Sequence, residues 1–159
     1  TTQMTEQAIR ASLTRSFDEI PFAIGINNHM GSKLTKLYSP MAWTMRFLKE
    51  RDVLFLDSLT TQRSQAENVA NHYGVTALHR HIFLDNELSD EYISKQFMQM
   101  VRHAKKHKTA IAIAHPHPQT IETLSRLIPT LAKENIELVS LSSLAIRNKE
   151  EPSVSLTTE

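Results

Sequence analysis

A chain of 159 residues with 18 Lys+Arg, 17 Asp+Glu, 8 His, 3 Gly and no Cys has the size of one ordinary domain and a net charge of +1. With 40% hydrophobic and 22% charged residues it is globular, and a balanced charge gives no electrostatic case for nucleic acid or an anionic membrane surface. The lack of cysteine excludes disulfide scaffolds, thiolate zinc sites and cysteine nucleophiles, and Gly25, Gly31 and Gly74 cannot assemble a phosphate-cradling loop.

No apolar run reaches the ~20 residues of a membrane helix, so no membrane insertion is expected. No signal peptide is visible, and a chain that starts without Met reads as a processed or trimmed product. An opening helix, Glu6 to Phe17, ends near Pro21. Five short apolar segments then read as buried strands: Phe22 to Asn27, Val53 to Asp57, Thr76 to His79, Ala110 to Ala114 and Glu137 to Ser140. Helical patterns fill the gaps, at Met41 to Glu50, Gln65 to Tyr73, Asp90 to Lys108 and Gln119 to Glu134. In the third of these, Ile93, Phe97, Met100, Val101 and Ala104 form one apolar stripe, and Ser89 can cap its start. Strands alternating with helices are the signature of a parallel α/β sheet or barrel. Residues 1–146 therefore read as one domain and residues 147–159 as a disordered polar tail.

Polar residues collect where strands end. Asn27, Asn28 and His29 follow the first strand, Asp57 and Ser58 close the second, Arg80 and then Asp85 follow the third, and His115 and His117 leave the fourth. In parallel α/β folds these carboxyl ends share the face that carries the active site. Each residue also has a structural reading. His29 could cap a turn, Asp57 could cap the next helix, Asp85-Asn86 could be turn chemistry, and Arg80 could pair with Asp57 or Asp85. His115 is the strongest single candidate, because it leaves an apolar strand and Pro116 restricts its backbone. His79, His81, His103 and His107 read as surface or helix histidines. The last two have the i, i+4 spacing of a metal pair, but no Glu lies between them and the face is rich in Lys. Trp43 reads as core. Ser32 and Ser58 lie in no G-x-S-x-G elbow, so a serine nucleophile is disfavoured. A divalent metal needs only the His and Asp present, although spacing nominates one or two ligands where three are expected.

The blocks Ala23-Ile24-Gly25-Ile26-Asn27-Asn28-His29-Met30-Gly31-Ser32, Phe55-Leu56-Asp57-Ser58, Arg80-His81-Ile82-Phe83-Leu84-Asp85-Asn86 and Ala112-Ile113-Ala114-His115-Pro116, with Pro118 and Thr120, occur in that order. In these the chain resembles the divergent polysaccharide deacetylases, bacterial and mostly extracytoplasmic, over roughly residues 4–146. The resemblance implies an irregular, incomplete (β/α)7-type barrel and removal of acetyl groups from N-acetylated glycans by a divalent metal, usually zinc, held by an Asp and two His. It makes His29 the metal-ligand candidate and His115 the general acid. Asp57, Arg80 and Asp85 would tune or shape the catalytic cleft, and Asn27, Asn28, Ser58 and His117 would contact the glycan. The family's amino-terminal strand with paired aspartates and its His-x-Pro-Met block have no counterpart here. The expectation is thus the carboxyl-terminal two thirds of the domain, with further metal ligands in the missing amino-terminal segment. Unpaired sheet edges would favour association with that segment or with a second copy. A non-catalytic glycan-binding or envelope-assembly protein on the same fold is the rival reading, and a periplasmic or other extracytoplasmic location is implied.

Overall fold

The computed structural model describes residues 5–29 and 31–150, the side chains extending to Arg147. They form two compact units, one comprising residues up to Leu78 together with those from Val139, the other His79–Leu138.

In the first unit, helix α1 (Glu6–Glu19) is capped by Thr5, whose hydroxyl accepts the Ala8 N–H at 3.3 Å. Its stripe of Ile9, Leu13 and Phe17 repeats every four residues, and Leu13 and Phe17 pack on the core of this unit. Helix α2 (Tyr38–Arg51) supplies most of that core through Met41, Met45, Phe47 and Leu48, all at most 1% exposed. Ion pairs Arg10–Glu50 and Arg46–Glu6 join α1 to α2, but these half-exposed pairs contribute little beside the apolar burial. Strands β1 (Gly25–Asn27), β2 (Leu54–Asp57) and β3 (Ala77–His79) form a sheet in the order β1-β2-β3, and β1 and β2 run parallel with Gly25 opposite Leu54. Phe55, Leu56 and Asp57 are all buried, as expected of a strand with a neighbour on either side and both faces covered. At Gly25 a Cβ would lie 2.5 Å from Leu54 Cγ and 2.6 Å from the Leu54 carbonyl oxygen, so the strand pair closes only on glycine. Helix α3 (Ala66–Tyr73) buries Ala66, Val69 and Ala70 and ends at Gly74, left-handed at φ 65°.

The second unit holds β4 (Ile82–Phe83) and β5 (Ala112–Ile113), parallel, with Ile82 opposite Ala112 and Phe83 opposite Ile113. Helix α4 (Asp90–His107) begins at Ser89, whose hydroxyl accepts the Tyr92 N–H at 3.2 Å. Its acidic first turn and basic last turn match the helix dipole. Phe97 and Val101 of α4 meet Leu84 and Leu131 in the core of this unit.

The fold is thus α/β with parallel strands, as the sequence indicates, and the described strands do not close a barrel. Three segments differ from expectation. The segment from Glu137 to Ser140 forms no strand: Leu138 is 66% exposed, and none of the four residues is buried. The strand absent from the expectation is β4, Ile82–Phe83. The long helix expected to reach Glu134 stops at Leu127 as α5 (Pro118–Leu127) and continues as a 3-10 helix, Ile128–Glu134, because Pro129 removes an amide donor. Helix α6 (Leu141–Glu150) also runs through Arg147 to Glu150, where the polar tail was expected to begin, while residues 151–159 lie outside the described residues.

Candidate functional site

The strand ends of each unit carry a polar cluster. In the second unit, the chain leaves β4 through Leu84 into Asp85, whose side chain is fully buried. Thirty residues later it leaves β5 through Ala114 into His115-Pro116-His117-Pro118. Pro118 opens α5, where a missing N–H costs nothing, and the Pro-bracketed turn is tightened by the His117 N–H donating to the His115 carbonyl at 2.8 Å. This fixes His115 over Asp85. Asp85 Oδ2 accepts the His115 backbone N–H at 2.5 Å and the Thr120 hydroxyl at 3.2 Å, and Oδ1 lies 3.1 Å from His115 Nδ1. A burial this complete would penalise an isolated carboxylate, and those donors offset the penalty.

With the Asp85 carboxylate ionised, His115 Nδ1 donates to it, and the unprotonated nitrogen of the neutral ring is Nε2. The His115 side chain is 41% exposed, so this ring is both oriented from behind and reachable from solvent. His117, exposed at the cap position of α5, adds a second imidazole with its ring centre 6.1 Å from that of His115. One ligand atom each from Asp85, His115 and His117 lies within 4.8 Å of the others, the single such trio among the described residues. A carboxylate and two imidazoles form a donor set suited to zinc.

In the first unit, Asn27 Nδ2 donates to the Leu56 carbonyl at 2.8 Å and to Ser58 Oγ at 2.9 Å. Asn28 Oδ1 accepts the Ser58 N–H at 2.8 Å, and Ser58 Oγ donates to the Asn28 carbonyl at 2.6 Å. Asn27, Asn28 and Ser58 therefore lock together the ends of β1 and β2. Asn28 Nδ2 is buried without a partner among the described residues, and Gly31 makes room for it, since a Cβ there would lie 2.8 Å away. Asp57 turns inward. Its Oδ1 accepts the Leu59 N–H at 2.8 Å, and its Oδ2 accepts the Ser64 hydroxyl at 2.6 Å. Ser64 Oγ in turn accepts the Ala66 N–H at 3.2 Å, so Asp57 acts on the start of α3 through Ser64. This loop holds Leu59 at φ 46°, a conformation costly for a branched side chain.

His29 is exposed two residues beyond β1. The guanidinium of Arg80 lies over the Phe83 ring at 3.8 Å, and its Nη1 donates to the His81 carbonyl at 3.3 Å. Of the residues singled out from sequence, the structure brings together Asp85, His115 and His117 in one unit and Asn27, Asn28 and Ser58 in the other. Sequence reasoning assigned no role to Thr120 and overlooked Ser64. The position of Thr120 in the first turn of a helix opened by proline was the available signal for the former, and nothing local marks the latter.

The family model for divergent polysaccharide deacetylases matches residues 1–145. The chain is 36% identical over 142 residues to the uncharacterized protein YibQ of Escherichia coli (strain K12), covering 89% of this chain and 44% of that protein. It is 44% identical over 124 residues to an uncharacterized protein of Haemophilus influenzae, covering 77% and 43% respectively. The chain thus spans less than half the length of these curated relatives. Among solved structures it resembles the uncharacterized protein ATU2773 from Agrobacterium tumefaciens C58, with a TM-score of 0.74 and 24% identity over 76% of this chain and 49% of that one, a likeness of fold. No helix among the described residues is long and apolar enough to cross a membrane.

Proposed function

The chain belongs to the divergent polysaccharide deacetylase family, and from that premise we propose that it is part of a metal-dependent hydrolase that removes acetyl groups from N-acetylated glycans of the cell envelope, in an extracytoplasmic compartment. The irregular, incomplete β/α barrel is the architecture we propose for the whole domain. The observation that carries the reading is the Asp85–His115 pair. Amide cleavage requires a proton at the departing nitrogen, because an amine anion is a very poor leaving group. His115 delivers that proton from Nε2, and Asp85 holds the ring in the required tautomer and stabilises its charged form. Exposed His117 hydrogen-bonds the sugar, while Asn27, Asn28 and Ser58 hold together the ends of β1 and β2. Asp57 and Arg80 each position their own loop, and His29 is a metal ligand by family resemblance. A divalent metal, zinc first, would supply Lewis-acid polarisation of the acetyl carbonyl.

A second reading is favoured by the convergence of Asp85, His115 and His117. In it, His115 and His117 ligate the metal and Asp85 orients His115 from behind, the arrangement common around zinc-bound histidine. Metal content and acetate release from N-acetylglucosamine oligomers, measured on the full-length protein, separate the two. If His115→Ala keeps the metal and loses roughly 10²–10⁴-fold in turnover, His115 is the acid. If His115→Ala and His117→Ala both lose the metal, they are ligands. Glycan binding with no acetate release by the unsubstituted protein would establish the non-catalytic alternative, and a protein that bound neither metal nor glycan would overturn the proposal.

A further inference from the structure

The second unit contains four histidines that the proposed hydrolase does not use. Ring centres of His79 and His81 are 4.9 Å apart, those of His81 and His103 4.4 Å, and those of His103 and His107 4.5 Å, which makes one continuous array. His81 is fixed at its middle. The Ile111 N–H donates to His81 Nδ1 at 2.8 Å, while the His81 N–H donates back to the Ile111 carbonyl at 2.8 Å. An Nδ1 that accepts a hydrogen bond places the proton of the neutral ring on Nε2, so His81 is a donor within the array and not a metal ligand. His103 and His107 lie one turn apart on α4 and meet no such restriction.

A metal binds the neutral form of each imidazole, and the His103 and His107 rings lie side by side on one face of α4. Of the lysines in the last turn of α4, Lys105 is paired with Glu134 at 2.5 Å, while Lys106 is the one whose charge acts on His103.

We propose that His103 and His107 chelate a divalent transition-metal cation of the zinc, nickel or copper type, at a site separate from Asp85, His115 and His117, with His81 and His79 forming a rigid imidazole wall beside it. Imidazole donors without carboxylates select such cations over magnesium and calcium, which prefer oxygen. Two imidazoles one helical turn apart also match the spacing used by helical zinc motifs.

The test is a titration of the tag-free, metal-depleted chain with Zn²⁺ at pH 7.5 against a chromophoric chelator, run on the unsubstituted chain, His103→Gln/His107→Gln and His115→Gln/His117→Gln. The expected result is loss of one zinc equivalent in His103→Gln/His107→Gln, an unchanged circular dichroism spectrum, and no competition from excess Mg²⁺. That equivalent must survive in His115→Gln/His117→Gln. This comparison keeps the outcome independent of whether the Asp85 cluster binds metal at all. An unchanged zinc stoichiometry in His103→Gln/His107→Gln, or no zinc binding by the unsubstituted chain, would overturn the proposal and leave the array as ring packing.

Discussion

Asp85 grips His115 twice, through the backbone N–H at 2.5 Å and through ring Nδ1 at 3.1 Å, across thirty residues of sequence. One buried carboxylate thereby sets both where the loop after β5 runs and which nitrogen of His115 is protonated. The two effects separate by mutation. Asp85→Asn retains an acceptor for the backbone N–H, but its amide can turn an NH₂ toward Nδ1 and favour the opposite tautomer. Nitrogen NMR should therefore show His115 shifting from the Nδ1–H toward the Nε2–H form. If the pair works in catalysis, turnover of the full-length protein should fall by roughly 10²–10⁴-fold. An unchanged tautomer would remove Asp85 from the mechanism.

Asp57 invites a different expectation. Its two oxygens serve the Leu59 N–H and the Ser64 hydroxyl, so it builds the loop that holds Leu59 at positive φ. Asp57→Ala should destabilise the chain by about 1–3 kcal/mol, since donors buried around it lose their acceptor. Urea denaturation would show this as a lower midpoint. Any loss of turnover should disappear when activity is normalised to folded protein, and a loss that persists would give Asp57 a direct role.

Gly25 offers a test of the parallel register. In Gly25→Ala the new methyl meets both the side chain and the carbonyl oxygen of Leu54. Overpacking against backbone is not relieved by a rotamer change, so a cost of about 1–3 kcal/mol is expected. Leu54→Ala should rescue the double variant only in part, because the carbonyl contact remains. Full rescue would show that the side chain alone excludes a larger residue.

How much of this was legible in the sequence depends on whether the determining contact is local. Val53 to Asp57 read as a strand because a segment buried on both faces must be apolar throughout, and Phe55 and Leu56 are. Ile82–Phe83 did not, since two residues between His-Arg-His and a turn carry no period. Conversely, Glu137 to Ser140 holds the adjacent apolar residues Leu138 and Val139 but leaves Leu138 exposed, so a short apolar run without a sheet to join makes no strand. The polar strand ends were legible as candidates. The Asp85–His115 pairing was not, because it is set by the β4–β5 register. Left-handed Leu59 has no sequence signal, as glycine or asparagine would have given.

The His81 environment sets a pH dependence of defined sign. The ring is pushed down to about 4 in the folded chain, by burial first and by His103 and His79 next, while an unfolded histidine titrates near 6.5. Above 6.5 neither state holds the proton, and the chain has its full stability. As pH falls from 6.5 toward 4 the unfolded chain takes up the proton and the folded one resists, so stability drops across that window. His103, lowered in the same direction by burial first and then by the charges of His107 and Lys106, adds to the effect. After discounting for solvent screening of a half-exposed array, the loss attributable to His81 should be about 1–2 kcal/mol. Urea midpoints at pH 7.5, 6 and 4.5 would measure it. His81→Phe gives up the bond from the Ile111 N–H at every pH, so it should be less stable at pH 7.5 yet show a flatter profile. If His81→Phe kept the full acid slope, the titrating group would lie elsewhere, and the array would not be the source of acid sensitivity.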